Sequence, residues 1–409
     1  MSPQPKLVVF TMLFPHAGQP NAGIFIRERM FRVGQALPLV VVAPVPWFPG
    51  QAILRKWRPH FRPPTPSFEQ QQGFAVYHPR FLSIPGLCKS LDGLFMALGS
   101  ALTLWRLKRQ FGFTLIDAHF AYPDGYAATL LGKWFRVPVT ITLRGTEVRH
   151  SGQRRLRPLL LKALHRASRI FAVATALKRH AENLGIPGEK IKVIGNGVDL
   201  VKFRPIPQAQ ARSQLKLPLD VPIIVSVGGL VERKGFHRVI DCLPVLQQRF
   251  PDIHYLIVGG PSAEGDMTAA LRQQVARLNL QNQVHFLGIL PPDQLKIPLS
   301  AADVFVLATG NEGWANVFLE AMACGLPVVT TAVGGNAEVI SRPELGYLIP
   351  FGDEAALTET IAAALTRSWE RQAIIAYAHD NTWDKRVTTL IGEFNNIMAQ
   401  VSPDDPVKI

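Results

Sequence analysis

Two glutamates and one lysine are the side chains best suited to chemistry in this sequence. Glu312 and Glu320 lie in ATGNEGWANVFLEAMACGLPVV, residues 308–329, and Lys234 lies in VERKG. Carboxylates accept hydrogen bonds from sugar or ribose hydroxyls, whereas a lysine neutralises a phosphate. The spacing of the glutamates predicts that Glu312 opens a helix and that Glu320 projects from nearly the same face. Backbone N–H groups in the first turn of that helix, close to Gly313, would bind a diphosphate or a sugar hydroxyl.

Each of these residues has an ordinary structural alternative when it is taken alone. Acidic residues near a helix N-terminus are favourable helix chemistry, whatever else they do. Lys234 alone is a solvated charge in a turn, and Gly228 with Gly229 is an ordinary loop between a strand and a helix. Their occurrence together favours a ligand site over these alternatives.

The first half of the chain contributes a second group of candidates. His119 ends the predicted strand LIDAHF, and Arg144 and Glu147 follow the predicted strand VPVTITL, so they lie where α/β proteins place chemistry. A lone histidine there is more often structural, and Arg144 and Glu147 either contact an acceptor or pair with each other. Gly23 precedes a predicted helix, where it brings the backbone close to a phosphate or forms an ordinary turn.

The charge of the chain is unevenly distributed. Lys and Arg number 44 and Asp and Glu 30, which gives a formal net charge of +14. Residues 1–205 hold 29 basic and 9 acidic side chains, a net charge of +20, whereas residues 206–409 have a net charge of −6. The basic half should attract phosphates, and composition leaves nucleic acid, an anionic membrane and a phosphorylated substrate open. An apolar fraction of 47% excludes a disordered or fibrous protein.

Short apolar runs alternate with longer helical stretches, a pattern typical of parallel strands joined by helices. The predicted strands are KLVVFTML, PLVVVAP, FAVYHP, LIDAHF, VPVTITL, RIFAVA and IKVIG in the first half, and PIIVSVG, HYLIVGG, VHFLG, VFVLAT, PVVTT and GYLIP in the second. We therefore predict an α/β fold with two doubly wound sheets. The domains are expected at residues 1–205 and 206–383, with a helix and tail at 384–409 that returns to the first domain. The proline-rich segment 204–222 is the expected linker.

Several other classes of protein are disfavoured. The three cysteines, Cys88, Cys242 and Cys324, have no paired spacing, so neither a disulfide framework nor a zinc site is expected. There is no G-x-G-x-x-G after a strand, no G-x-S-x-G and no H-E-x-x-H. The first apolar stretch looks like a buried strand and not a signal peptide, and no transmembrane segment is predicted. These features favour a cytoplasmic protein.

EGWANVFLEAMACGLPVV followed by GGNAEVI, with IGNGVD and VGGLVERKG before them, resembles family 4 of the retaining, GT-B-type glycosyltransferases. GIFIRER, DAHFAYPDGYAA and RGTE extend the likeness over nearly the whole chain. The resemblance implies a GT-B architecture, with two Rossmann-like domains that face a cleft. It also implies transfer of a hexosyl group from a nucleoside-diphosphate sugar to a hydroxyl, with retained anomeric configuration. A UDP-sugar is the favoured donor, with GDP- and ADP-sugars as alternatives, and no metal is expected.

The resemblance also assigns roles to individual residues. His119 and Glu312 would be the catalytic residues that hold the transferred sugar, and Glu320 would accept hydrogen bonds from the ribose. Lys234 would neutralise the diphosphate, and Arg233 would replace the arginine that the family usually has where this chain has Gly229. The other donor-side residues would be Gly23, Gly228, Gly229, Gly313, Trp314, Ala315 and Asn316. Arg144 and Glu147 would lie on the acceptor side.

The surplus of positive charge predicts an anionic acceptor or the membrane that carries it. The basic, aromatic segment 53–66 is predicted to be a loop, and residues 154–171 form a predicted helix with basic and leucine side chains. For that helix, a core-facing side opposite a solvated side is an equally good interpretation. We expect a peripheral enzyme on the inner face of the cytoplasmic membrane that acts in polysaccharide biosynthesis on a lipid-linked or cell-surface saccharide. A nucleotide-sugar epimerase or hydrolase, and a nucleic-acid-binding protein, are the alternatives.

Overall fold

A computed structural model describes residues 4–20, 22–57, 61–262 and 264–400. The chain forms two units: residues up to Asn196 together with those from Trp383 onward form the first, and Gly197–Thr382 form the second. The strands are β1 Leu7–Phe10, β2 Leu39–Val42, β3 Val45–Trp47, β4 Phe68–Gln71, β5 Phe74–Tyr77, β6 Arg80–Leu82, β7 Leu115–His119, β8 Val139–Leu143, β9 Arg169–Ala172, β10 Ile191–Val193, β11 Ile223–Val227, β12 His254–Val258, β13 Val284–Gly288, β14 Val304–Leu307, β15 Val328–Thr331 and β16 Gly346–Ile349.

Helices follow most of the strands, as the alternation in the sequence predicts. They are α1 Ile24–Gly34, α2 Gln51–Trp57, α3 Asp92–Gln110, α4 Tyr126–Phe135, α5 Thr146–Ser151, α6 Arg157–Arg166, α7 Thr175–Asn183, α8 Gln208–Gln214, α9 Phe236–Arg249, α10 Thr268–Arg277, α11 Lys296–Ala301, α12 Asn316–Ala323, α13 Asn336–Val339, α14 Glu354–Thr366, α15 Arg371–Asp380 and α16 Trp383–Gln400. Three-residue 3₁₀ turns and the short helical turn Ala121–Gly125 complete the described helices.

The first unit is built on a sheet with the strand order β10-β9-β8-β7-β1-β2-β5-β4. All neighbouring strands in it are parallel, except for the antiparallel pair of β4 with β5. Strands β1, β2, β7 and β8 are buried along their whole length, which explains why their sequences are continuously apolar rather than alternating. The last helix, α16, packs against α1 and contributes Val387, Leu390 and Phe394 to the core of this unit.

The second unit contains a parallel sheet with the order β13-β12-β11-β14-β15-β16. The chain order reverses between β11 and β14, and at such a point the loops after the two strands diverge and leave room for a ligand. Cores of buried side chains cover both faces of the sheet, with Phe305 and Phe318 on one side and Phe236 and Tyr255 on the other. The predicted doubly wound α/β fold is confirmed for both units.

The sequence missed three short strands and the structure of one segment. Strands β3, β4 and β6 were not predicted, because each has only three or four residues and most of those are half-buried or exposed. The segment 204–222, the expected linker between domains, lies within the second unit. It contains α8, and the buried guanidinium of Arg212 on this helix lies 2.9 Å from Asp303 Oδ2.

Candidate active site

Lys234 and Glu312 form the central contact of the candidate site in the second unit. Lys234 ends a 3₁₀ turn between β11 and α9, and Glu312 lies in the loop between β14 and α12. The Nζ atom of Lys234 lies 2.6 Å from Oε1 of Glu312, and the Thr309 hydroxyl donates to the same oxygen at 3.0 Å. Glu312 is only 8% exposed, so this carboxylate depends on these donors in place of water.

Arg233 lies beside Lys234 and also contacts Glu312. Its Nη1 atom is 3.2 Å from Glu312 Oε1 and donates to the carbonyl of Asn311 at 2.8 Å. The other side of the guanidinium donates to both oxygens of Glu264, at 2.7 and 2.9 Å. These bonds, the one to Glu264 most of all, raise the pKa of Arg233 above its ordinary value. Arg233 is therefore positioned at the site, but two carboxylates hold it.

The backbone fixes the two loops against each other. The amide of Gly310 donates to the Arg233 carbonyl at 2.7 Å, and the Thr309 hydroxyl oxygen, whose one proton goes to Glu312, lies 3.1 Å from the same carbonyl. Gly334 follows β15 with a φ of +52°, and a Cβ atom there would lie 1.7 Å from the carbonyl oxygen of Glu312. Only glycine fits that position, so the first glycine of GGNAEVI is explained by close packing beneath Glu312.

The prediction that Glu312 opens a helix is wrong. Helix α12 begins at Asn316, with Ala315 extended at the N-cap, and Glu312 lies in the preceding loop. The bonds that Arg233 makes to Asn311 and Glu312 keep this loop away from helical geometry. Glu320 lies one turn inside α12, so the argument from a shared helix face fails, although both glutamates belong to the segment after β14.

The remaining donor-side residues lie around this loop. Gly228 follows β11, and a Cβ atom there would lie 3.6–3.8 Å from the side chain of Lys234. At Gly229 a Cβ atom would be 3.1 Å from Cβ of Ser262, so this serine lies where an arginine side chain would begin.

Gly313 and Trp314 are half-buried between Glu312 and the start of α12. The indole Nε1 of Trp314 is a buried donor without a hydrogen-bond partner among the described residues.

In the first unit, His119 and Arg144 are brought into direct contact. Arg144 Nε and Nη2 lie 3.3 and 3.2 Å from Nδ1 of His119, and Nη1 donates to Asn196 Oδ1 at 3.2 Å. A guanidinium only donates, so Nδ1 accepts and the neutral ring carries its proton on Nε2, 3.4 Å from Oδ2 of Asp117. Burial, together with the charge of Arg144, holds the pKa of His119 well below its ordinary range. His119 is therefore a fixed, uncharged group at the end of β7.

Glu147 has a structural set of contacts. Its carboxylate accepts hydrogen bonds from the backbone amides of Arg144, Gly145 and Ala121, at 3.2, 2.7 and 3.1 Å. The residue is 2% exposed, and it joins the loop after β8 to the turn after β7. The described contacts therefore direct the Glu147 carboxylate to the backbone, while the Arg144 side chain turns to His119 and Asn196.

Gly23 precedes α1 in the left-handed conformation, with a φ of +66°. A Cβ atom there would lie 2.3 Å from the carbonyl oxygen of Leu13, so this turn requires glycine whether or not a ligand approaches. Its assignment to the donor stays a prediction.

Sequence reasoning missed several buried polar residues of the first unit. Asp117 is buried in the middle of β7, and burial raises its pKa to about 6. Arg29 is completely buried on α1, and none of its three guanidinium nitrogens has a hydrogen-bond partner within the described part of the chain. Its pKa is lowered to about 10, chiefly by burial. The signal was present, because Arg29 lies in GIFIRER at a spacing of three from Ile26, on the core face of α1.

Three general features of the described residues bear on chemistry. Cys88, Cys242 and Cys324 are free thiols. No group of three or more His, Cys, Asp or Glu side chains within residues 4–20, 22–57, 61–262 and 264–400 is arranged to hold a metal ion. None of the described helices combines the length and the apolar character needed to cross a bilayer.

The two segments predicted to contact a membrane have a different secondary structure from the one expected. Residues 53–57 belong to α2 rather than to a loop, while Arg58 lies outside the described residues. In the second segment the helix is limited to α6, whose Leu160 and Leu164 are buried in the core. This favours the structural alternative for α6, because Leu160 and Leu164 are not available to lipid.

Solved structures share this fold. Sucrose-phosphate synthase from Thermosynechococcus elongatus superposes with a TM-score of 0.76 at 21% identity, covering 98% of this chain and 100% of that one. Anabaena HepE in complex with UDP gives a TM-score of 0.70 at 23% identity, covering 97% and 100% of the two chains. Two Rossmann-like units with parallel sheets give the chain the GT-B fold.

The sequence comparisons identify the family. Residues 46–202 match the family described as Glycosyltransferase Family 4, and residues 207–381 match Glycosyl transferases group 1. A putative teichuronic acid biosynthesis glycosyltransferase of Bacillus subtilis is 27% identical over 93% of this chain and 91% of the relative. An amylovoran biosynthesis glycosyltransferase of Erwinia amylovora is 29% identical over 90% and 91%. The two matches cover successive parts of one chain. The chain therefore belongs to the family 4, group 1 glycosyltransferases and is a transferase.

Proposed function

We propose that this enzyme transfers a hexosyl group from a nucleoside-diphosphate sugar to a hydroxyl of a lipid-linked or cell-surface saccharide, with retention of the anomeric configuration. A UDP-sugar is the favoured donor, because the Anabaena HepE structure with the same fold holds UDP. The names of two relatives, which refer to teichuronic acid and amylovoran biosynthesis, support a role in polysaccharide assembly. We further propose that the enzyme works at an anionic membrane surface.

The contact between Lys234 and Glu312 carries this proposal. A leaving diphosphate accumulates negative charge as the glycosidic bond breaks, and a lysine in the turn between β11 and α9 can stabilise it. Lys234 is only 16% exposed, so its charge is poorly screened by water. Glu320 on α12 is assigned to the ribose hydroxyls, and the amides of Gly313 to Asn316 are assigned to the sugar and phosphates.

The contacts of Glu312 favour direct attack of the acceptor on the same face of the sugar over a covalent intermediate on this carboxylate. Oε1 already accepts hydrogen bonds from Lys234, Arg233 and Thr309, and the two cations offset the negative charge that a nucleophilic carboxylate needs. We therefore assign Glu312 to holding the sugar. The bond from the anomeric carbon to the phosphate oxygen breaks, and the acceptor oxygen bonds to that carbon from the same side. The acceptor proton passes to the leaving phosphate oxygen. His119, neutral and fixed by Arg144, is assigned to a hydroxyl of the transferred sugar.

Product analysis with a panel of UDP-, GDP- and ADP-sugars tests this proposal. Incubation with saccharide and lipid-linked acceptors should give a glycosylated product whose anomeric configuration, measured by NMR, equals that of the donor. Glu312→Ala should abolish turnover while nucleotide affinity persists. Release of free sugar or an epimer without any need for an acceptor, or an inverted product, would contradict the proposal.

A further inference from the structure

Helix α3 exposes an apolar face to solvent. Five large side chains at spacings of three and four residues follow one side of this helix and the turn before it: Leu91, Leu94, Leu98, Leu102 and Trp105, here called the α3 stripe. Their exposed fractions are 40%, 38%, 55%, 57% and 48%. These spacings return to the same face of a helix, so the stripe is continuous and spans roughly 20 Å at 1.5 Å per residue.

The stripe is not the core side of the helix. Met96, Ala97, Leu104 and Leu107 are buried on the opposite side, where α3 packs against α4 and β6. A helix of a water-exposed surface normally carries polar residues opposite its core face, and a helix that is apolar on both sides needs a second partner.

Exposed apolar residues continue beyond the stripe. Leu82, Ile84 and Leu87 lead into α3 from β6 and are 37%, 41% and 60% exposed. Strand β6 pairs with β3, after which α2 exposes Trp57 at 83% and Ile53 at 65%. Exposed apolar side chains therefore occur on both segments that adjoin this strand pair, as well as on α3.

The charged side chains around α3 indicate what kind of partner would cover the stripe. From residue 70 to residue 116 the chain has five basic side chains and one acidic side chain, Asp92. Asp92 is itself paired with Lys89, Nζ to Oδ2 at 3.1 Å, at the start of α3. At the other end Arg106 and Arg109 are exposed, and the Arg109 guanidinium lies 5.0 Å from the centre of the Trp105 ring. Leucine and tryptophan flanked by cations suit the acyl boundary and the anionic headgroups of a bilayer.

We propose that the α3 stripe is the surface by which this enzyme docks on an anionic lipid bilayer, with Arg106 and Arg109 at the headgroups. The stretch from residue 70 to residue 116 has a net charge of +4, so two copies brought together stripe to stripe would repel each other, which disfavours a second copy as the partner. The inference deepens the proposed function, since it rests on a membrane-borne acceptor. It places the contact on α3 rather than on α6, whose Leu160 and Leu164 are buried.

Flotation of the full chain with vesicles tests the stripe. Wild type should float with vesicles of phosphatidylcholine and phosphatidylglycerol, and much less with phosphatidylcholine alone. Leu98→Gln/Leu102→Gln should lower partitioning on the order of tenfold or more, because two exposed leucines no longer enter the apolar layer. Arg106→Gln/Arg109→Gln should lower partitioning to anionic vesicles and weaken its dependence on salt.

The matched control is Val201→Gln/Val245→Gln, which alters two exposed apolar side chains of the second unit, 84% and 51% exposed. It should float like wild type. Equal flotation of wild type and the α3 variant would overturn the docking surface. The proposal would also be overturned if the α3 variant floats normally and sedimentation shows a dimer for wild type but a monomer for the variant. A wild type that transfers sugar but fails to float contradicts membrane docking and leaves the proposed transfer reaction intact, whereas absence of transfer from every donor contradicts the proposed reaction.

Discussion

Lys234 Nζ and Glu312 Oε1 lie 2.6 Å apart, so the cation assigned to the diphosphate and the carboxylate assigned to the sugar form one ion pair. Each group fixes the other before a donor arrives. Because the pair is poorly exposed, it should be only weakly screened by salt. A diphosphate that reaches Lys234 would share the lysine with Glu312, and this coupling gives several measurable consequences.

Removal of the lysine should weaken donor binding. Lys234→Ala should lower the affinity for UDP about tenfold to a hundredfold, the range expected for losing a charge-assisted hydrogen bond to a phosphate. Calorimetric titration measures this. Lys202→Ala is the control, since Lys202 is a half-buried lysine of the same unit that pairs with Asp199 at 3.4 Å. Equal losses in both variants would show a general charge effect and would count against the assignment of Lys234.

Glu264 should restrain Arg233. Glu264→Gln removes the charge of its bidentate partner, so Arg233 becomes available to the diphosphate, and we expect UDP to bind roughly threefold tighter. Glu232→Gln removes an exposed carboxylate from the same turn as Lys234 and serves as control. Titration at two salt concentrations measures both. Unchanged or weaker binding in Glu264→Gln would argue that Arg233 has no part in the donor site.

The close packing under Glu312 should be sensitive to one methyl group. In Gly334→Ala the new Cβ would lie 1.7 Å from the Glu312 carbonyl oxygen, so the loop must move and UDP affinity should fall at least tenfold. Gly352→Ala is a matched control, because Gly352 also has a positive φ, +87°, but no heavy atom lies within 4 Å of its Cβ position. The control should lose about 1 kcal/mol of stability to backbone strain and keep its affinity. Equal binding by both variants would refute the packing argument.

Asp124 should make the stability of the first unit depend on pH. This carboxyl is 1% exposed, and burial raises its pKa to about 7, far above the value in an unfolded chain. Folding therefore favours the protonated form. The contribution of this group to the free energy of unfolding is complete below about pH 4 and is lost as the pH rises through 7. From pH 5 to pH 8 the free energy of unfolding of wild type should fall by roughly 2 to 3 kcal/mol relative to that of Asp124→Asn. Urea unfolding at both pH values measures the difference, and a constant difference would contradict the shift.

The strands that carry the site were predictable, whereas the loops were not. Continuous apolar runs such as VFVLAT and LIDAHF end where the structure places Thr309 and His119, because buried parallel strands have a strong pattern of their own. The start of α12 at Asn316 was missed, since Arg233, distant in sequence, holds the loop before it. The α3 stripe was also missed. Its sequence resembles a core helix, and only the fold shows which of its apolar faces is covered.

Calorimetric titration of UDP, GDP and ADP into wild type and Glu320→Ala tests the central claim most directly. If the second unit holds the nucleotide through Glu320, wild type should bind UDP more tightly than GDP or ADP, and Glu320→Ala should lose at least tenfold in affinity as the ribose hydrogen bonds are lost. A wild type that binds none of the three nucleotides, or a Glu320→Ala variant with wild-type affinity for UDP, would contradict the account.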